Sequence, residues 1–259
     1  MLSVRFLKME LNLAPLSAPT DRTRGELVNT WVPSVGLTLA LDMTESLDMC
    51  YASDSVDDTC IAFLRERLQR HSYFVDAGAN QGLYSCLALH ESSRIGVIAL
   101  EPDPYSQEKL RRNLALNSLD STRFTLLDVA LGESVGTAVL MLNTAGNRAG
   151  SSLVVDQRAF TGLEDNLTVQ VTTAPLTSVV ESLGHDAWIL KMDIEGMEYP
   201  VLKAYLRDAA RDTWPRAVIV EAFGRSIHAV GGSPVQLLVE HGYNLVDHDE
   251  SNFCLELRP

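Results

Sequence analysis

The sequence predicts an α/β fold built on a doubly wound, mostly parallel sheet. Three observations predict it. From residue 73 onward, short apolar runs alternate with stretches whose apolar residues recur at helical spacing. The runs YFVDAG, RIGVIALEP, WILKMDIEG and AVIVEAF are nearly continuously apolar, as strands covered on both faces must be. Several of these runs end in a glycine turn or an acid, at the edge where ligands sit in such sheets.

The elements follow in order. Residues 1 to about 30, broken by Pro15, Pro19 and Gly25, read as an irregular arm with one short helix. VGLTLAL (35–41) reads as a strand. Residues 54–70 read as a helix capped by Ser53 or Asp54, with Val56, Cys60, Phe63, Leu64 and Leu68 on one stripe and Arg65, Arg67 and Arg70 near its end. We take 1–72 as an N-terminal extension or cap and 73–259 as the main domain. Strand 73–78 leads to helix 81–90, strand 94–102 to helix 105–117, and strand 123–131 follows. TAVLML (137–142) and LTVQVTT (167–173) add two strands around a polar loop. Strand 188–196 with its turn, helix 199–210, strand 217–223 and helix 234–241 come next. YNLVDHD and NFCLELR close as an antiparallel hairpin.

Composition excludes several classes. With 259 residues and 46% hydrophobic content, the chain can bury a core without metal or disulfide staples. A net charge of −13 opposes a protein that grips nucleic-acid phosphates, and equally a polybasic membrane-surface protein. The cysteines (Cys50, Cys60, Cys86, Cys254) form no C-x-x-C pair, so buried reduced thiols are expected. No apolar run is long enough to span a bilayer, and Arg5, Lys8 and Glu10 interrupt what would be the core of a signal peptide. A cytoplasmic protein is the expectation.

The most informative stretch is Asp76-Ala-Gly-Ala-Asn-Gln-Gly82, followed by Leu83-Tyr84-Ser85. Glycines after an apolar strand allow a tight turn, and the next helix points free N–H groups at a ligand. A purely structural turn would use the same glycines. A dinucleotide fingerprint needs glycine at the first, third and sixth places; here Gly78, Asn80 and Leu83 occupy them. The G-K-[ST] of a phosphate loop is also missing. What remains suits a smaller zwitterion. Asp76 can accept from an ammonium, while backbone N–H groups around Gly78, Ala79, Asn80 and Gly82, with Ser85, can donate to a carboxylate. That is the chemistry of the methionine end of S-adenosylmethionine.

Glu101-Pro102-Asp103 ends the second strand about twenty residues on, where an acid takes both ribose hydroxyls. Asp128 and Val129, at the end of the third strand, could read the adenine amino group and ring nitrogens. In the strand and turn 188–196 and just beyond, the run Lys191-Met-Asp-Ile-Glu-Gly-Met-Glu198 carries three acids. They could hold a divalent cation or supply a general base. Alternatively Asp193 lines the cofactor site while Glu195 and Glu198 serve the following helix N-terminus.

DAGANQGLYS, the EP after the second strand, LKMDIEGME and the small-residue loop GNRAGSSL (146–153) together resemble the FkbM family of S-adenosylmethionine-dependent methyltransferases. The resemblance covers roughly residues 73 to 225. It implies a class I methyltransferase, Rossmann-like fold and O-methylation of a hydroxyl on a natural product, sugar or lipid. It implies Asp76, Gly78, Asn80, Gly82 and Ser85 around the methionine end, Glu101 at the ribose and Asp193 beside the transfer site.

Asp193 is accordingly the first candidate base, His228 in EAFGRSIHAVGG the second, and Glu195 and Glu221 follow. The loop 143–166 has the composition of a lid and equally of a hairpin excursion. The expected partner is a small-molecule acceptor, with neither nucleic acid nor membrane, and the apolar arm could pair two subunits as a homodimer. Two rivals are a non-catalytic module that binds S-adenosylmethionine and an NAD-dependent oxidoreductase. The glycine spacing opposes the latter.

Overall fold

The computed structural model describes residues 25–143, 150–153, 167–222 and 231–259. Its centre is β3 (Tyr73–Ala77), flanked in parallel by β4 (Gly96–Leu100) and β9 (Trp188–Met192). Beyond β4 lies β5 (Phe124–Leu127), and beyond β9 lies β10 (Ala217–Glu221), both parallel to their neighbours. The sheet ends in β12 (Asn252–Leu257), antiparallel to β10, and β11 (Tyr243–His248), antiparallel to β12. The order β11-β12-β10-β9-β3-β4-β5 has one reversed strand. It is the Rossmann-like, doubly wound sheet that the resemblance implies, with the C-terminal hairpin in place.

The pleat separates two cores. Phe74, Ile189, Ile219 and Cys254 face α2 (Asp58–Leu68), α3 (Leu83–Glu91) and α4 (Pro104–Leu116). Val75, Leu190, Val218 and Leu255 face the other way, onto α5 (Leu176–Val180), α6 (Glu198–Asp208) and α7 (Pro234–Glu240). Helix starts are capped as their residues allow. Asp103 accepts from the Tyr105 N–H with Pro104 behind it, and Ser233 does the same for Gln236 ahead of Pro234.

Three expectations change. Leu27–Val32 is a strand (β1), paired antiparallel with β2 (Leu37–Asp42), where the breakers suggested an irregular arm that reached about residue 30. A helix at Ser46–Ala52 (α1) precedes α2, whose cap is Asp57 accepting from the Cys60 N–H. Asp54 is instead left-handed at φ 60° and accepts from the Ser34 N–H. The run 123–131 breaks at the exposed Asp128. Its second half, β6 (Val129–Leu131), joins β7 (Gly136–Leu142) and β8 (Leu167–Ala174) in a separate three-stranded sheet. Val129 and Leu131 still face the main core while Ala130 packs with Leu140 and Val171 of the small sheet, so the apolar residues on either side of Asp128 serve two sheets. Among the described residues no helix is long and apolar enough to cross a membrane.

The extension is tied to α4 by buried polar contacts. Asn113 accepts from the Ala40 N–H of β2 at 2.6 Å and donates to the Gln81 carbonyl at 2.8 Å. Asn117 bonds both backbone groups of Thr38. Lys109 pairs with Asp48, and the Tyr105 hydroxyl donates to Asp42. Asn113 thus couples the extension to the glycine turn. Asn113→Ala orphans a buried N–H and a buried carbonyl, and should lower unfolding free energy by about 2–4 kcal/mol. Urea denaturation with an unchanged m-value measures this; an unshifted midpoint would contradict the coupling.

Candidate active site

The cleft lies over the carboxyl ends of β3, β4 and β9, at the switch point between β3 and β9. It encloses about 910 Å³, its open mouth included. Two turns meet beneath it. A Cβ on Gly78, at φ 76°, would lie 1.8 Å from the Asp193 carbonyl oxygen, so only glycine lets the β3 turn sit against the β9 turn. The Asp193 N–H donates to the Ala77 carbonyl at 3.1 Å. Each turn also holds one non-glycine residue in the left-handed region, Asn80 at φ 48° and Glu195 at φ 53°.

Carboxylates fix both turns. Glu101 is buried; its Oε2 accepts from the Asn80 N–H and its Oε1 from the Asp103 N–H, both at 2.7 Å. Burial, with Asp103 nearby, pushes its carboxyl up to about 8. Glu198 accepts from the Ile194 and Gly196 N–H groups at 2.7 and 3.0 Å, stapling the 193–197 turn. Burial pushes it up to about 7.

Of the residues expected at the site, Gly78, Ala79, Asn80, Glu101, Pro102, Val129, Asp193 and Glu195 line the cleft. Asp76, Gly82, Ser85 and Asp128 do not. Ser85 is fully buried and donates to Asp76 Oδ2 at 2.6 Å, so its hydroxyl is directed to that carboxylate and not to a ligand carboxylate. Burial raises Asp76 above the ordinary carboxylate range. Gly82 at φ 83° instead lets Leu110 approach; a Cβ there would lie 2.6 Å from Leu110 Cγ. Asp128 is exposed. His228 and most of the loop 143–166 lie outside the described residues. Residues 150–153 of that loop are described: Ser152 bridges to Met141 and donates to the Glu195 carbonyl at 2.7 Å, and Ser151 and Leu153 line the cleft.

Asp193 Oδ2 pairs with Lys191 Nζ at 3.1 Å, and Lys191 lies 5.0 Å from the centre of the Tyr84 ring. Burial alone would lower Lys191, but the Asp193 and Asp76 charges lift it above the ordinary ammonium value. The carboxylates of Asp193, Glu195 and Glu221 all lie within 4.8 Å of one another. The third member comes from the end of β10, while Glu198 is spent on backbone. Burial, then repulsion from Asp193, raises both Glu195 and Glu221. Sequence reasoning passed over Lys191, Gln81, and the wall that Leu47 and Tyr51 of α1 contribute. Lys191 carried a signal: a lysine inside a five-residue buried strand needs a buried anion nearby. Leu47 and Tyr51 carried none.

Compared with known proteins, residues 76–245 match the model of the methyltransferase FkbM domain. Methyltransferase sdnD of Sordaria araneosa is 28% identical over 179 residues, which make up 57% of this chain and 68% of that protein. Methyltransferase FkbM of Methylobacillus flagellatus KT aligns at 20% identity and a TM-score of 0.47, over 73% of this chain and 44% of that one. The chain therefore spans less than half the length of that solved relative. Precorrin-6y C5,15-methyltransferase of Geobacter metallireducens GS-15 aligns at 14% identity and a TM-score of 0.40, over 75% of this chain and 84% of that one. A family model that spans well over half of the sequence places it: the chain belongs to the FkbM methyltransferase family.

The raised carboxyls have a consequence for stability. Glu101 and Glu198 titrate above the ordinary 4.5, so the folded chain holds protons that the unfolded chain releases between pH 4.5 and about 8. Stability should fall as pH rises through that window, by about 1.4 kcal/mol per pH unit for each retained proton. Thermal melts of the ligand-free protein between pH 5 and 8.5 check it. Glu101→Gln should flatten the slope; a slope unchanged in that variant would remove Glu101 from the account.

Proposed function

We propose that the chain uses S-adenosylmethionine to methylate a hydroxyl oxygen of a small or medium-sized acceptor, such as a natural product, sugar or lipid. One observation carries the reading: a single cleft at the switch point is lined by the glycine turn, by Glu101 and by Asp193. The donor set suits this cofactor. Glu101 can accept from a ribose diol, and the backbone of 78–80 can approach a ligand closely. Lys191 is the one cation of the described lining and is already paired with Asp193, a balance that offers little to an anionic ligand. A nicotinamide dinucleotide, with two phosphates, fits that balance poorly.

Bound there, the sulfonium supplies a methyl group whose carbon–sulfur bond breaks with both electrons going to sulfur. The protein's part is alignment and proton removal. Asp193, held in place by Lys191 and by its own N–H on Ala77, accepts the acceptor hydroxyl's hydrogen bond. It takes the proton as the oxygen–carbon bond forms. Glu198 keeps the Asp193–Glu195 turn in register. Leu47 and Tyr51 of the extension, with Leu153 of the small-residue loop, provide the wall that meets the acceptor.

Calorimetric titration with S-adenosylhomocysteine, with NAD in parallel, tests the cofactor. Micromolar binding of the first and none of the second is expected; the reverse would overturn the reading. Asp193→Asn should then cut turnover on an accepted substrate by about 10²–10⁴-fold, with S-adenosylhomocysteine affinity within a few-fold of the parent. Full turnover in that variant would remove Asp193 as base. Turnover should persist in EDTA, because Asp193 already has Lys191 as its cation. Loss restored by Mg²⁺ would assign a metal to Asp193, Glu195 and Glu221.

A further inference from the structure

We propose that Tyr51 sets acceptor specificity: its hydroxyl hydrogen-bonds a second oxygen of the acceptor, hydroxyl or ether, carried beside the hydroxyl that is methylated. The inference rests on the acceptor reading above and names a contact within it. Tyr51 is half-buried and lines the cleft from α1. Its hydroxyl has no hydrogen-bond partner among the described residues and is not sealed from solvent. The other tyrosine of the lining, Tyr84, has its hydroxyl committed to Asp57 Oδ2 at 3.1 Å. Tyr51 therefore presents to the cleft a hydroxyl that the fold does not use.

Position ties that hydroxyl to the acceptor. Among charged side chains, Lys191 and then Asp193 act on it most, so it stands by the base assigned above. Burial holds its phenol above the ordinary value, so it stays neutral, able both to donate and to accept, and is no base itself. Helix α1 holds it firmly. Asp48 is buried, accepts from the Asp42 N–H at 2.6 Å and pairs with Lys109, and the Tyr51 carbonyl accepts from the Asp54 N–H at 3.0 Å. Leu47, one helical turn back, adds an apolar neighbour on the same wall. Desolvation then selects the acceptor. A molecule that fills the cleft expels the water on Tyr51. If its one oxygen there is the one that faces Asp193, the Tyr51 hydroxyl is left dry and unpaired, which costs free energy. An acceptor with a neighbouring oxygen pairs it. A site built this way rejects the analogue that lacks the paired group.

The test compares acceptors that differ by one oxygen: a vicinal cis-diol of cyclohexane against cyclohexanol, and catechol against phenol. The two pairs separate an aliphatic from an aromatic acceptor. Methyl transfer from S-adenosylmethionine is followed on the parent and on Tyr51→Phe, with S-adenosylhomocysteine calorimetry and ligand-free melts of both. The parent should prefer the diol of one pair by about tenfold or more in kcat/KM, and Tyr51→Phe should lose about tenfold of that preference, mainly through KM. Melting temperature and S-adenosylhomocysteine affinity should stay close to the parent's, since the hydroxyl serves neither fold nor cofactor. A preference that survives in Tyr51→Phe overturns the proposal. So does a loss equal for both members of a pair, or a lowered melting temperature, which would place the hydroxyl in the fold. A parent that binds S-adenosylhomocysteine and shows no diol preference in either pair overturns it as well. If the parent does not bind S-adenosylhomocysteine, the cofactor reading is what fails.

Discussion

The contact between Gly78 and the Asp193 carbonyl is the constraint on which the site depends. Strands β3 and β9 are far apart in sequence and adjacent in the sheet. Their neighbouring carboxyl ends leave no room for a Cβ between the two turns. Because β4 leaves on one side of β3 and β9 on the other, a crevice opens above this pair. Much of the cleft lining is hung from these turns: Asn80 and Gln81 follow Gly78, and Lys191, Asp193 and Glu195 surround the other partner. A side chain at 78 would push the acid-bearing turn away from the glycine turn, and the cleft would lose its floor before it lost any functional group.

The second feature is the division of labour among acids of one local pattern. Asp193, Glu195 and Glu198 lie within six residues, yet they do three things. Asp193 pairs with a buried ammonium, Glu195 carries a left-handed backbone and faces Glu221, and Glu198 turns inward to take two N–H groups. Glu198 makes the strained turn affordable, since a helix start with orphaned N–H groups needs an acceptor. Glu101 repeats the arrangement at the facing turn. Each turn is therefore held by a buried carboxylate, and burial raises both Glu101 and Glu198 although the N–H groups they accept from act the other way.

The sheet was legible because its strands are buried on both faces and alternate with amphipathic helical stretches; both are local signals. The elements it missed owe their existence to partners. β1 is mostly exposed and is a strand because β2 pairs with it. The break at Asp128 divides the run 123–131, and its halves join different sheets. At the site, strand-end position pointed to Glu101 and Asp193, which line the cleft, while Ser85, read as a donor to a ligand carboxylate, donates to Asp76. Glu221 entered the acid cluster in place of Glu198 because β10 sits beside β9, a fact of strand order that no spacing in the chain records.

The extension supplies part of the cleft wall from outside the residues matched by the family model. Its apolar residues Leu37, Leu39, Leu41 and Leu64 share a core with Phe74 and Leu87, so it packs as part of the main body. Asn113 and Asn117 hold β2 through backbone atoms, which leaves the β2 side chains at those bonds free to vary without loss of attachment. From that fixed base α1 delivers Leu47 and Tyr51 to the cleft. These two arise outside the residues matched by the family model, while every group assigned to the cofactor lies inside them. Attachment by backbone hydrogen bonds and the α1 contribution to the cleft wall are thus carried by different atoms. A change at 47 or 51 can alter the pocket wall and leave the Gly78–Asp193 floor in place.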